Sequence, residues 1–201
     1  MKLGPVIAVL LLGGCMMPIP PVSGAGAGDL DRVAAYLNGL KRFEAHFDQT
    51  GDFGPGGGLV WLDRPGNLRI DYQGARSRVL VIAGGRMRIL DRASGALTTM
   101  PLSRTPLGIL LDENIVLSGP ASGQITVASM SHAAGSLRVT LKKTDHLAQG
   151  ALTLDFSDRP LTLLAVSVTD ARGQILTMRL TGIDPAPALT PGLFAPLTPA
   201  S

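Results

Sequence analysis

Alternation of apolar and polar residues in short runs is the feature that most limits what this chain can fold into. In FEAHFDQT, residues 43–50, phenylalanine and alanine occupy every second position between glutamate, histidine and aspartate. This period of two is typical of a half-buried β-strand. Similar runs are GLVWL, LRIDY, RVLVIAG, RMRILD, ALTTM, QITVASM, SLRVTLK, GALTLDF, LTLLAVSVT and QILTMRLT.

Turn residues separate these runs. Gly84 and Gly85 divide one pair of runs, and the segments 158–160 and 170–173 divide the last three. Such tight turns join antiparallel neighbours. The pattern predicts a mainly β protein with about ten or eleven strands, in one large antiparallel sheet that curls into a sandwich or barrel.

Two segments have helical spacing instead. DLDRVAAYLNGL carries leucine, valine and alanine on one face, with Asp29 as the expected N-cap and an end near Gly39. TPLGILLDENIVL, Thr105 to Leu117, has Thr105 as the expected N-cap and Pro106 at the first helical position. We expect this short, very apolar helix to bury its face on the concave side of the sheet.

The first 28 residues resemble an export leader. Lys2 precedes a short apolar stretch that is too short to span a bilayer. LLGGC resembles a bacterial lipobox, in which Cys15 would carry lipid and the Pro/Gly-rich residues after it would form a tether. The alternative is cleavage after AGA, Ala25 to Ala27, which would discard Cys15. We therefore expect residues 29–201 to form one domain that works beyond the inner membrane.

Composition argues against several functions. The 18 basic residues form no cluster, which disfavours nucleic-acid binding. Cys15 is the only cysteine, and His46, His132 and His146 are isolated from one another, so no metal-ligand spacing is present. GPGGG lacks the Gly-Lys-Ser/Thr of a phosphate loop, and no catalytic constellation is recognisable. The sequence predicts no cofactor, no metal and no enzyme.

An ordered set of motifs resembles the outer-membrane lipoprotein carrier (LolA) family. The set runs from Phe47–Gln49 through a strand containing Trp61, an Arg64-Pro65 pair and the strand Leu68–Tyr72. It continues with the hairpin 81–91, the segment 106–111 and PGLFAPL near the end. The resemblance covers roughly residues 29 to 198. It implies an incomplete, unclosed antiparallel β-barrel in which helices form a lid over a hydrophobic cavity that carries lipoprotein acyl chains.

The resemblance also implies roles for particular residues. A turn needs Pro65, Gly66 and Asn67 but not Arg64, and the family's arginine at this position bonds to the lid and helps to latch the empty cup. The position of Leu68 is one where a polar residue disturbs release in family members. The second strand has fewer aromatic residues than the family usually has, so aliphatic residues are expected in the cavity wall. The candidate acyl-cavity residues are Phe47, Trp61, Leu68, Ile70, Tyr72, Val81, Ile89, Leu110 and Leu111.

The function expected from the resemblance is a periplasmic carrier that moves lipoproteins from the inner to the outer membrane. Its partners would be the acyl chains of lipoproteins, an inner-membrane lipoprotein-releasing ABC transporter, and an outer-membrane acceptor or the membrane itself. If Cys15 is lipidated, an outer-membrane-anchored acceptor like LolB is the alternative. A structural envelope lipoprotein without a usable cavity is another, and an enzyme using His46, His132 or Asp145-His146 is a third.

Overall fold

The computed structural model describes residues 25–74, 77–119 and 122–198. Within these residues, two α-helices, α1 (Ala25–Gly39) and α2 (Leu107–Leu111), accompany eleven strands. Short 3-10 turns cover Leu102–Arg104 and Thr144–Gln149. The strands are β1 (Arg42–Gly51), β2 (Gly56–Asp63), β3 (Asn67–Tyr72), β4 (Arg78–Ala83), β5 (Arg86–Asp91), β6 (Leu97–Pro101), β7 (Ile125–Ala133), β8 (Ser136–Lys143), β9 (Ala151–Asp158), β10 (Leu161–Thr169) and β11 (Ile175–Asp184).

All eleven strands belong to one antiparallel sheet in the order β6-β5-β4-β3-β2-β1-β11-β10-β9-β8-β7. Two meanders, β1 to β6 and β7 to β11, are joined where β1 pairs with β11. β6 and β7 remain the two outer strands, so the sheet does not close into a barrel. The predicted unclosed antiparallel barrel with ten or eleven strands is therefore confirmed.

The strands bury alternate residues on the concave face. In β1 the buried side chains are Phe43, Ala45, Phe47 and Gln49, which lie between exposed or half-buried neighbours. Apolar side chains of α1, α2 and both halves of the sheet pack into a single buried cluster there. The core of the domain is thus the inside of the curved sheet, filled by the two helices.

The second helix is much shorter than the predicted segment Thr105–Leu117. α2 covers only Leu107–Leu111, Pro106 is its N-cap residue, and Asp112 is extended with φ −64° and ψ 146°. Tertiary hydrogen bonds capture the backbone at this point: the Gly66 amide donates to the Leu111 carbonyl, and Asn38 binds Ile115 at both backbone groups. These bonds replace the intrahelical bonds that a longer helix would make.

The first helix begins before the expected start. Residues 25–28, which we assigned to the leader and tether, belong to α1, and the expected N-cap Asp29 lies within the helix. Its carboxylate accepts a hydrogen bond from Arg32, one turn further along. Among the described residues, no helix has both the length and the apolar character needed to cross a membrane.

Candidate functional site

Arg64 lies at the junction between the sheet and both helices. It sits in the turn between β2 and β3, and only 7% of its surface is exposed. Its Nε donates to the Asp112 carbonyl oxygen at 3.0 Å, and Nη2 donates to the same oxygen. Nη1 donates to the Leu37 carbonyl oxygen in the last turn of α1. One guanidinium therefore joins the end of α1 to the segment that follows α2.

Backbone bonds of the same turn reinforce this junction. The Arg64 amide donates to the Lys41 carbonyl at 2.8 Å, just after α1, and the Gly66 amide donates to the Leu111 carbonyl at 3.0 Å. Gly66 has φ +80°, a conformation that favours glycine. The turn thus holds the carboxyl ends of both helices, where orphan carbonyl groups need donors.

Burial has an electrostatic cost at this site. Desolvation lowers the pKa of Arg64, and the negative charge of Asp112 partly opposes that shift. Desolvation also raises the pKa of Asp112, while Lys143 and Arg64 oppose it. The Lys143 side chain comes close to α2 because residue 108 of that helix is glycine: a Cβ on Gly108 would lie 2.8 Å from the Lys143 Nζ. The guanidinium remains charged because its pKa starts far above neutrality, and the helix carbonyls stabilise that charge.

Asn38 forms a second link that sequence reasoning missed. Its Nδ2 donates to the Ile115 carbonyl at 2.8 Å, and its Oδ1 accepts from the Ile115 amide at 2.9 Å. Together with Arg64, this pair joins α1 to the segment after α2. A polar residue near the end of a predicted helix signals a possible cap, but nothing in the sequence points to a partner 77 residues away.

Seven of the nine predicted cavity residues lie on the concave face. Phe47, Leu68, Ile70, Leu110 and Leu111 belong to the buried cluster, and Tyr72 and Ile89 pack against it. These side chains are in contact with the protein's own core, including α1 and α2. The structure therefore describes a closed state in which the protein's own residues fill the cup.

The other two predicted cavity residues, Trp61 and Val81, lie on the opposite face of the sheet. Both are paired with Arg69 across the ladder, one position out of step with the core pairs Leu62–Leu68 and Leu68–Ile82. The Trp61 indole donates to the Glu44 carboxylate at 2.7 Å. Val81 is fully buried but is not part of the concave cluster. Their assignment to the cavity was wrong because successive residues of a strand point to opposite faces.

A polar contact lies inside the cup at the other end of the strands. The Tyr72 hydroxyl donates to Gln49 Oε1 at 2.6 Å, and Gln49 Nε2 donates to the Gly54 carbonyl at 2.9 Å. The Tyr72 ring meets Phe47 edge to face, with centroids 5.2 Å apart. The motif Phe47–Gln49 thus contributes one apolar and one polar residue to the interior.

An open groove of about 390 Å³ lies beside this end of the sheet. Its lining consists of His46, Phe47, Asp48, Gly57, Gly58, Gln73 and Gly74. Polar side chains and glycine backbone dominate, so the groove has little apolar surface for an acyl chain. The concave face remains the better candidate for an apolar ligand.

The remaining sequence predictions concern groups elsewhere. Cys15 and the proposed lipobox lie outside the described residues, as does the side chain of His146, whereas the alternative cleavage site at Ala25 to Ala27 falls within α1. His46 and His132 are exposed. Within the part of the chain that the structure describes, no three His, Cys, Asp or Glu side chains are grouped to hold a metal ion.

The fold and this site define a class: an unclosed β-barrel whose apolar concave face is occupied by helices, with a buried arginine in a strand turn that bonds to the ends of both helices. The family model described as "Outer membrane lipoprotein carrier protein LolA" matches residues 38–196. The chain therefore belongs to the LolA family. Membership indicates a lipoprotein- or lipid-binding carrier role. No curated protein matches the chain significantly.

Three solved structures are similar to this chain at low sequence identity. An uncharacterised conserved protein from Thermus thermophilus is 9% identical, with a TM-score of 0.48 over 86% of this chain and 94% of its own. A LolA superfamily protein from Nitrosomonas europaea is 10% identical, with a TM-score of 0.43 over 83% of this chain and 97% of its own. The Pseudomonas aeruginosa MucA/MucB complex contains a chain that is 15% identical, with a TM-score of 0.43, and this protein spans 86% of itself and 62% of that chain.

Replacing Asn38 by alanine is expected to lower the free energy of unfolding by about 1–3 kcal/mol, because the amide and carbonyl of Ile115 lose their partner. Urea unfolding of the protein measures the loss. Asn114→Ala is the matched control, since Asn114 lies exposed in the same segment. Equal stabilities of the two variants would contradict a structural role for Asn38.

Ionisation of Tyr72 should make the free energy of unfolding depend on pH in the alkaline range. Burial raises the pKa of Tyr72, and the positive charge of Arg78 opposes the shift in part. In the unfolded chain the side chain ionises near pH 10. Because its pKa is higher in the folded state, the folded protein binds the proton more tightly, and the free energy of unfolding falls as pH rises above about 10. Unfolding free energies from pH 8 to 11 should therefore decline less steeply for Tyr72→Phe than for wild type. Parallel curves would contradict this assignment.

Proposed function

We propose that the protein is a periplasmic carrier that takes lipoprotein acyl chains onto the concave face of its sheet and moves them from the inner to the outer membrane. One observation carries the proposal. The buried guanidinium of Arg64 holds the ends of both helices against an apolar cup. Family membership supports a carrier of this general kind.

The physical need for such a container is large. Each methylene exposed to water costs roughly 0.8 kcal/mol, so one long acyl chain costs on the order of 10 kcal/mol. The concave face offers the apolar surface that removes this cost. In the closed state, α1 and α2 cover that surface with Val33, Leu37, Leu110 and Leu111.

Loading then exchanges one set of apolar contacts for another. Acyl chains replace the side chains of α1 and α2 on the sheet, so the net free energy is a small difference between similar contributions. Hydrogen bonds from Arg64 favour the closed state and oppose loading. When the cargo leaves, the Arg64 hydrogen bonds form again, and their free energy favours release. In this proposal an inner-membrane lipoprotein-releasing ABC transporter supplies the cargo, and an outer-membrane acceptor or the membrane removes it.

An anchored acceptor differs from the soluble shuttle in the fate of Cys15. The intact mass of the protein purified from the cell envelope separates them. A chain beginning with lipid-modified Cys15 supports the anchored acceptor, and a chain without Cys15 supports the shuttle.

Acyl binding is the first test. The purified mature protein should bind a triacylated lipopeptide at micromolar concentration and should not bind the same peptide without acyl chains. A polarity-sensitive dye on the acyl chain is the appropriate reporter, because Trp61, the only tryptophan, lies on the opposite face of the sheet. Equal binding of both peptides, or of neither, would contradict the carrier function.

Arg64→Leu is expected to fold, to retain bound lipopeptide and to release it more slowly. Removing bonds that contribute about 1–3 kcal/mol to the closed state should slow release by about tenfold for each 1.4 kcal/mol. Transfer of dye-labelled lipopeptide to acceptor vesicles measures the rate. Arg42→Leu, which removes an exposed arginine paired with Asp63, is the matched control. Release at the wild-type rate from Arg64→Leu would contradict the latch.

A further inference from the structure

The sequence Asp-Arg-Pro occurs twice, and α1 contacts the sheet beside both copies. In residues 63–65 the aspartate ends β2 and the next two residues begin the turn, and in residues 158–160 the aspartate ends β9 and the next two residues form the turn. Strand directions and registers place both turns at the same end of the sheet: Asp63 pairs with Arg42 at the start of β1, and Asp158 pairs with Leu161 at the start of β10. α1 therefore extends between two turns of matching sequence.

The amino-terminal half of α1 is tied to the second turn by Arg32. Its Nη1 donates to Asp29 Oδ1 at 2.7 Å and to Asp158 Oδ1 at 3.1 Å. Its Nη2 donates to the Asp158 carbonyl oxygen at 2.8 Å. Both aspartates raise the pKa of Arg32 by accepting these hydrogen bonds. We call the group Asp29, Arg32, His132 and Asp158 the amino-terminal clasp.

The clasp also reaches the free edge of the sheet. His132, on β7, has its Nε2 3.2 Å from Asp29 Oδ2. Gly26 of α1 faces Met130 on the same strand, where an added Cβ would lie 3.2 Å from the methionine Cε. β7 is one of the two outer strands. The start of α1 thus lies over the side on which the sheet is open.

The two Asp-Arg-Pro segments contact α1 through different residues, the arginine in the first and the aspartate in the second. In the first turn, Arg64 donates to a helix carbonyl while Asp63 pairs with Arg42. In the second turn, Asp158 accepts from a helix arginine, and the side chain of Arg159 is 87% exposed and 3.7 Å from Asp158 Oδ2. The first contact is buried, whereas 40% of the Arg32 side chain is exposed. Exposed ion pairs are weak and screened by salt.

We propose that Arg32 and Asp158 are positioning residues that hold the amino-terminal half of α1 on the cup, and that α1 opens first at this clasp, swinging from the free edge at β7 while Arg64 holds its other end. The weaker, exposed clasp yields before the buried one. That acyl chains enter through this side rests on the proposed function. The order in which α1 opens does not.

Amide hydrogen exchange of the intact mature protein tests the order of opening. Arg32→Ala and Asp158→Ala should speed exchange in the first half of α1 by about three- to tenfold, and the double variant should exchange no faster than Arg32→Ala. Salt at high concentration should have a similar effect on wild type. Arg42→Ala, which removes an Arg–Asp pair beyond the carboxyl end of α1, is the control and should leave the amides in the first half of α1 within twofold of wild type.

Several results would overturn the inference. One is exchange of the amides in the first half of α1 in Arg32→Ala that stays within twofold of that in Arg42→Ala. Another is faster exchange throughout the sheet in Arg32→Ala. The third is exchange that shows the carboxyl end of α1 opening before its amino-terminal half. The route of the acyl chain is tested separately, because Arg32→Ala should also load dye-labelled lipopeptide faster. Unchanged loading with faster exchange would overturn the route alone, and a wild-type protein that binds no lipopeptide would overturn the proposed function while leaving the exchange result intact.

Discussion

A buried arginine that bonds to the backbone of two helices is the constraint on which the arrangement of this protein depends. The guanidinium of Arg64 loses water on burial and recovers hydrogen bonds only where Leu37 and Asp112 present their carbonyls. Such a charge is stable only while both helix ends stay in place. The same residue that connects two strands therefore also fixes the helices on the concave face, and an opening that moves both helix ends must change its surroundings.

The closed cup is stabilised by the same kind of apolar contact that the proposed function requires. Apolar side chains of α1 and α2 satisfy the concave face in the same nondirectional way as an acyl chain would. In the proposed mechanism acyl chains replace the helices on this face, because apolar contacts are nondirectional and a few polar contacts hold the helices in place. These polar contacts are distributed unevenly. Arg64 and Asn38 lie together at the carboxyl ends of the helices, and the amino-terminal clasp lies at the free edge of the sheet. This asymmetry gives α1 a preferred direction of movement in the proposed mechanism.

Errors in the predicted site arose where both faces of a strand are apolar. In β4, RVLVIA offers Val79 and Val81 on one face and Leu80 and Ile82 on the other, and hydrophobicity alone cannot choose between them. The outer face is partly covered by the chain near its end, where Arg69 donates to the Leu193 carbonyl at 3.0 Å. For Trp61 the signal was available, because the register of the hairpin around Pro65 and Gly66 pairs Trp61 with Arg69 rather than with a core residue.

By itself the sequence determined the type and approximate number of strands and the turns between them, because these depend on local patterns, namely periodicity and turn residues. The resemblance to the LolA family, rather than any local pattern, singled out Arg64. Tertiary structure decided the length of α2, the partners of Asn38 and Arg32, and which face of each strand is inside. Those outcomes depend largely on hydrogen bonds and packing between segments far apart in the chain, such as Asn38 with Ile115, 77 residues apart, and Arg32 with Asp158, 126 residues apart.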